Sequence, residues 1–85
     1  MQPSSLSPAD REALARCTLR PVEGRPTWRA VFLHGTLIGY VTERFVGQFF
    51  RTPDMPDWLP AADDWPQDDP PFARATLRLL SRAGM

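Results

Sequence analysis

Hydrophobic and polar positions alternate most cleanly between residues 28 and 42, where two apolar runs flank the dipeptide His34-Gly35. The runs are rich in Val, Ile, Phe, Tyr and Trp, which suit a pleated surface. A two-residue turn of the primed type needs positive φ at both central positions. Gly adopts it freely, and His is among the residues that tolerate it. The pattern predicts a β-hairpin in which Leu33 pairs with Thr36, Phe32 with Leu37, Ala30 with Gly39 and Trp28 with Val41. Side chains alternate along a strand, so this register sorts them. Trp28, Ala30, Phe32, Leu37, Gly39 and Val41 form an uncharged face expected to meet the core. Arg29, Val31, Leu33, Thr36, Ile38, Tyr40 and Thr42 form a mixed face. Gly39 leaves a shallow spot where a helix can approach the sheet.

Around the hairpin the other elements fall in order. Residues 1–6 read as a frayed end. Ser7 is a good cap, Pro8 fits the first helical position, and Asp10 and Glu12 suit the positive end of the helix dipole. A short helix is predicted over residues 8–17, with Leu6, Ala9, Ala13, Leu14 and Cys17 on one face. Residues 18–22 predict a strand that Pro21 either confines to an edge or stops early. Gly47 allows a bend into a last strand, Gln48-Phe49-Phe50-Arg51. A stronger helix is expected over residues 72–83, with Phe72, Ala75, Thr76, Leu79, Leu80 and Ala83 on one side. Arg74, Arg78 and Arg82 repeat every four residues on the other.

Residues 53–71 break the pattern. They hold six of the ten prolines, six of the ten acidic residues and two of the three tryptophans, with no basic residue. The prolines disfavour helix and central strand, while Met55, Trp58, Leu59 and Trp65 argue against free disorder. The expectation is an ordered acidic strap, extended or polyproline in conformation, with one or both of its tryptophans docked on the domain. The fold class is α+β. A single domain over residues 1–85 has a three- or four-stranded antiparallel meander, a short N-terminal helix and a C-terminal helix after the strap.

Composition narrows the function. Formal net charge is zero, so total charge does not call for nucleic acid or an anionic membrane. All ten basic residues are arginine; together with abundant Ala, Pro and Asp this reflects a GC-rich genome and is no argument for arginine chemistry. Charge is nonetheless segregated: +3 over residues 1–52, −6 over residues 53–71 and +3 over residues 72–85. Folded together, the strap would neutralise the arginines of the last helix. A single cysteine, Cys17, excludes an intrachain disulfide. The N-terminal residues lack the basic and apolar segments of a signal peptide, and no apolar run approaches the roughly 20 residues of a membrane span. A cytoplasmic bacterial or phage protein is expected.

Catalytic and metal chemistry find no constellation. Cys17 and His34 could be imagined as a nucleophile and base, but no motif surrounds the cysteine, which on an apolar helix face packs as a small hydrophobe. One His and one Cys fall short of a zinc ligand set. Asp63, Asp64, Asp68 and Asp69 lack calcium-loop spacing, and Pro66 interrupts them. No cofactor and no enzymatic activity are expected. The order of helix, antiparallel meander and helix is similar to that of the double-stranded RNA-binding domain. Residues 68–74, Asp-Asp-Pro-Pro-Phe-Ala-Arg, are acidic where that family carries a lysine-rich signature, so the likeness is topological and transfers no residue role.

The leading expectation is a non-catalytic protein-binding module, an accessory or adaptor protein of a phage or mobile element. Its expected surface is Trp58, Leu59 and Trp65 with Asp63 and Asp64, because buried aromatics dominate interface energetics. The alternative is nucleic-acid binding through Arg74, Arg78 and Arg82, joined by Arg29, Arg44 and Arg51. Zero net charge disfavours it, and no complex with generic strands tighter than about 10 μM is expected at physiological salt.

Overall fold

The computed structural model describes residues 6–44, 47–62 and 72–83. The order is α1 (Pro8–Ala15), β1 (Cys17–Val22), β2 (Arg25–Leu33), β3 (Thr36–Arg44), β4 (Gly47–Arg51), β5 (Leu59–Ala62) and α2 (Ala73–Arg82). The strands form one antiparallel sheet in the order β1-β2-β3-β4-β5. The α+β class and the meander follow the sequence pattern, but the sheet has five strands.

The fifth strand lies inside the proline-rich stretch, where no strand was expected. Pro60 is tolerated because β5 is an edge strand, which can leave one row of donors unpaired. Pro21 occupies the other edge, β1, for the same reason.

The hairpin turns at His34-Gly35 as the pattern requires, with φ of 52° and 81°. Its register is the expected one next to the turn: Leu33 pairs with Thr36 and Phe32 with Leu37. Beyond them a β-bulge intervenes. Val31 faces Gly39, Ala30 faces Tyr40, Arg29 faces Val41 and Trp28 faces Thr42, which leaves Ile38 as the extra residue. The expected pairs Ala30–Gly39 and Trp28–Val41 do not form. One extra residue changes which side chains share a face, so the expected core face is half inverted. Gly39 and Val41 face the core as predicted, joined by Val31 and Leu33 in place of Trp28, Ala30 and Phe32.

The core lies between the sheet and the helices. Val31, Val41 and Phe50 from the sheet meet Ala75 and Leu79 from α2, with Cys17, Leu19, Ile38, Leu59, Ala61 and Phe72 around them. Helix α2 packs on β3, β4 and β5, and α1 packs on β1 and α2. The close approach expected at Gly39 is made by Leu79.

Each helix is started by a different device. Ser7 and Asp10 form a reciprocal capping box: Asp10 N donates to Ser7 Oγ at 3.1 Å and Ser7 N to Asp10 Oδ2 at 3.5 Å. Leu6, assigned by the sequence to a frayed end, is buried. Helix α2 has no side-chain cap of its own, since Phe72 at its N-cap takes a left-handed conformation. The sheet supplies acceptors instead. Phe72 N donates to Glu43 Oε1 at 2.7 Å and Ala75 N to Gln48 Oε1 at 2.9 Å. A carboxylate and an amide oxygen thus satisfy amides that the first helical turn leaves unpaired and suit its positive end.

Candidate functional site

Both helices occupy one face of the sheet. Among the described residues, the other face is built from strand side chains and Trp58. Alternation from the buried Val31 and Leu33 puts Trp28, Ala30 and Phe32 on this open face. Their partners extend it across the strands. Trp28, Thr42, Phe49 and Pro60 form one row, and Arg20, Ala30, Tyr40 and Arg51 the next.

Aromatic rings and guanidinium groups interleave here. Trp28 and Trp58 meet edge to face with centroids 4.9 Å apart at 84°, and Trp28 and Tyr40 lie 5.8 Å apart at 54°. The Arg51 guanidinium carbon lies 5.7 Å from the Trp28 centroid, 6.0 Å from Tyr40 and 5.8 Å from Trp58. Arg44 lies 5.2 Å from Phe49 and 5.9 Å from Trp58, and Arg25 lies 5.1 Å from Trp28. Each such contact contributes about 0.5–1 kcal/mol at an exposed site, so the rings hold the cations in place without neutralising them. The buried Nε of Arg51 has no acceptor. Arg20, Arg25, Arg44 and Arg51 have no carboxylate partner among the described residues, where the ion pair is Arg16 with Glu12 on α1.

No acid balances this face within the strands. Glu43 is the single acidic residue of β1 to β5, and it turns to the other side to cap α2. Beside the aromatic cluster, Thr18, Arg20, Phe32 and Gly35 line an open cleft of about 310 Å³.

The site residues expected from sequence are dispersed. Trp58 docks on Trp28 and is half-buried. Its neighbour Leu59 pairs with Phe50 and is half-buried against the core. Asp63, Asp64 and Trp65 lie outside the described residues. Arg78 and Arg82 are exposed on α2, while Arg74 is half-buried. Arg29 is parted from Arg44 and Arg51. It lies on the helix side, 5.3 Å from the Phe72 ring, and donates to the carbonyls of Trp28 and Pro26.

Cys17 behaves as a packed hydrophobe. Its thiol donates to the Ala13 carbonyl at 3.6 Å, and burial pushes its pKa up, away from the thiolate that nucleophilic chemistry needs. His34 is an exposed turn residue. No group of three or more potential metal ligands occurs among the described residues. No helix among them is long and apolar enough to cross a membrane.

Trp28, Tyr40, Phe49 and Arg25 were not singled out by the sequence. The available signal was the alternation itself, which fails by one residue at the bulge. Comparison with protein-family models, with curated proteins and with solved structures found no match for this chain.

Proposed function

We propose that this chain is a small non-catalytic binding module of the cytoplasm, serving an accessory or adaptor role, and that its recognition surface is the open face of the sheet. One observation carries the reading: five aromatic side chains and four arginines gather on a face that neither helix covers and to which the strands contribute no carboxylate. Trp, Tyr and Arg are the residues that dominate binding energies at interfaces. Guanidinium groups already positioned by aromatic rings, with donors unspent, favour a partner that is anionic at the contact. The strap surface expected from sequence loses its centre once Leu59 joins the core. The open face supplies the same aromatic chemistry, with Trp58 in it.

The test is comparative capture from an extract of the encoding organism, read by quantitative mass spectrometry and nucleic-acid sequencing. Wild type is set beside Arg44→Gln/Trp58→Leu on the open face and Arg78→Gln/Arg82→Gln on α2. The expected result is a partner retained by wild type and the α2 variant and lost from the face variant. A partner lost only from the α2 variant would transfer the function to the helix.

A further inference from the structure

Resting on that reading of the open face, we propose that its ligand is single-stranded nucleic acid, laid across the strands from the Phe32 cleft to the Trp28–Trp58 cluster. The first argument is the alternation of chemistries. A single strand offers a planar base and a negative phosphate in every unit. Proteins that bind it combine a cationic track with aromatic side chains on which bases stack, and bases stack equally on guanidinium planes. The row Arg20, Ala30, Tyr40 and Arg51 places a cation at each end of a path crossing four strands. At about 4.8 Å per strand that path is about 14 Å long. Tyr40 lies within it, Trp28 and Phe49 stand in the neighbouring row, and Phe32 floors the cleft beside Arg20.

The second argument is the state of the cations. The rings hold Arg25, Arg44 and Arg51 in place, and no carboxylate of the described residues pairs with them. Zero formal charge led to the expectation of weak nucleic-acid binding, but that total averages this face with the six acids of residues 53–71. A ligand senses the local field.

Two other anions fit less well. Duplex DNA keeps its bases stacked inside, and its major groove admits a helix or a two-stranded ribbon rather than a flat sheet. An acidic peptide satisfies the arginines but brings no ring with each charge, so the aromatic half of the face goes unused.

The experiment is fluorescence anisotropy of the whole chain with labelled dT12 and dA12, the corresponding duplex, and a glutamate dodecapeptide, with tryptophan emission recorded in parallel. The single strands should bind and quench tryptophan, with affinity falling steeply in salt. Three or four phosphate contacts, at about 0.7 per contact, give a log–log slope between about −2 and −3. Affinity should then drop about 20- to 50-fold from 50 to 200 mM salt. Arg25→Gln and Arg44→Gln alter exposed side chains and keep the fold measurable; each should reduce the slope by about 0.7. Trp58→Leu should weaken binding about 5- to 160-fold, the range for one lost stacking platform. Arg78→Gln/Arg82→Gln should change nothing. Four outcomes overturn the inference: equal affinity for duplex, sensitivity to the α2 pair instead of the face, no binding of single strands at 50 mM salt, or tighter binding of the glutamate peptide. The last leaves the open-face reading standing. Capture that is indifferent to the face variant removes both.

Discussion

Gly39→Ala is the sharpest test of how the helix meets the sheet. Gly39 has φ of 155°, in a region that side chains other than glycine rarely adopt. A Cβ there would fall 2.6 and 3.0 Å from the two Leu79 methyl carbons and would collide with the Arg51 carbonyl oxygen of β4. The Leu79 side chain can shift, but the carbonyl belongs to the backbone of a paired strand and cannot move without disturbing the β3–β4 ladder. Overpacking costs about 1–3 kcal/mol and the strained backbone about 1–3 kcal/mol more, so the substitution should cost roughly 2–6 kcal/mol. An 85-residue domain has about 4–13 kcal/mol in total. At about 4–8 °C per kcal/mol, the melting temperature should fall by roughly 10–50 °C. Urea titrations followed by far-ultraviolet circular dichroism measure the effect in wild type and in a Leu79→Ala background. Removing the Leu79 methyls relieves part of the clash, so the second cost should be smaller by about 1 kcal/mol or more. A Gly39→Ala protein within about 0.5 kcal/mol of wild type, a difference typical of neutral surface changes, would refute the packing of α2 on β3.

Gly35→Val should cost about 1–3 kcal/mol from backbone strain alone, since a Cβ at Gly35 meets nothing within 4 Å; an unchanged melting temperature would place the turn elsewhere. Leu79→Ala should cost about 2–5 kcal/mol as a core truncation, and Phe32→Ala less, because Phe32 is half-buried on the open face. The reverse order of urea midpoints would restore the face inferred from sequence. The Cys17 thiol, raised by burial, should react with Ellman's reagent at pH 8 more slowly than free cysteine and should match it in urea; equal rates in the native state would show an accessible thiolate. The hydroxyl of Thr52, donating to Asp54 Oδ1 at 2.7 Å, holds the Asp54 carboxyl below the usual range, with its own backbone helping. A pKa depressed on folding contributes stability above the ordinary carboxyl range that is lost as pH falls through the folded value. NMR titration should find the Asp54 midpoint low and Thr52→Ala should raise it; a midpoint unmoved by the substitution would sever the link.

The local physics of most elements was legible in the chain. Ser7, Pro8 and Asp10 announced the first helix, His34-Gly35 the hairpin, Pro21 an edge strand, and the spacing of Ala75, Thr76, Leu79 and Leu80 the buried side of the last helix. What stayed hidden depended on contacts between segments. Nothing near Ile38 marks a bulge, because its neighbours Leu37 and Gly39 fit a regular strand equally well; the insertion shows only in the pairing, where Phe32 faces Leu37 and Val31 faces Gly39. The start of α2 was obscure for the same reason. Its cap comes from Glu43 and Gln48, which precede Phe72 by 29 residues and Ala75 by 27.

The proposed binding face depended on both of those hidden contacts. A one-residue bulge decides whether Trp28 and Tyr40 share a side or oppose each other, and here it brings them together. Trp58 and Leu59 were grouped as one candidate surface because they are adjacent and apolar. Once residues 59–62 form a strand against β4, adjacency separates them: Leu59 goes to the core and Trp58 to the far side. The same alternation sorts the charges. Arg44 follows Glu43 in β3, so the capping demand of α2 that draws the carboxylate to one face leaves the guanidinium on the other. Arg51 joins Arg44 there because β4 pairs with β3 in a register that sets Tyr40 against Arg51. A chain with no net charge thereby presents a face whose strand charges are all positive, assembled by the pairing that builds the core.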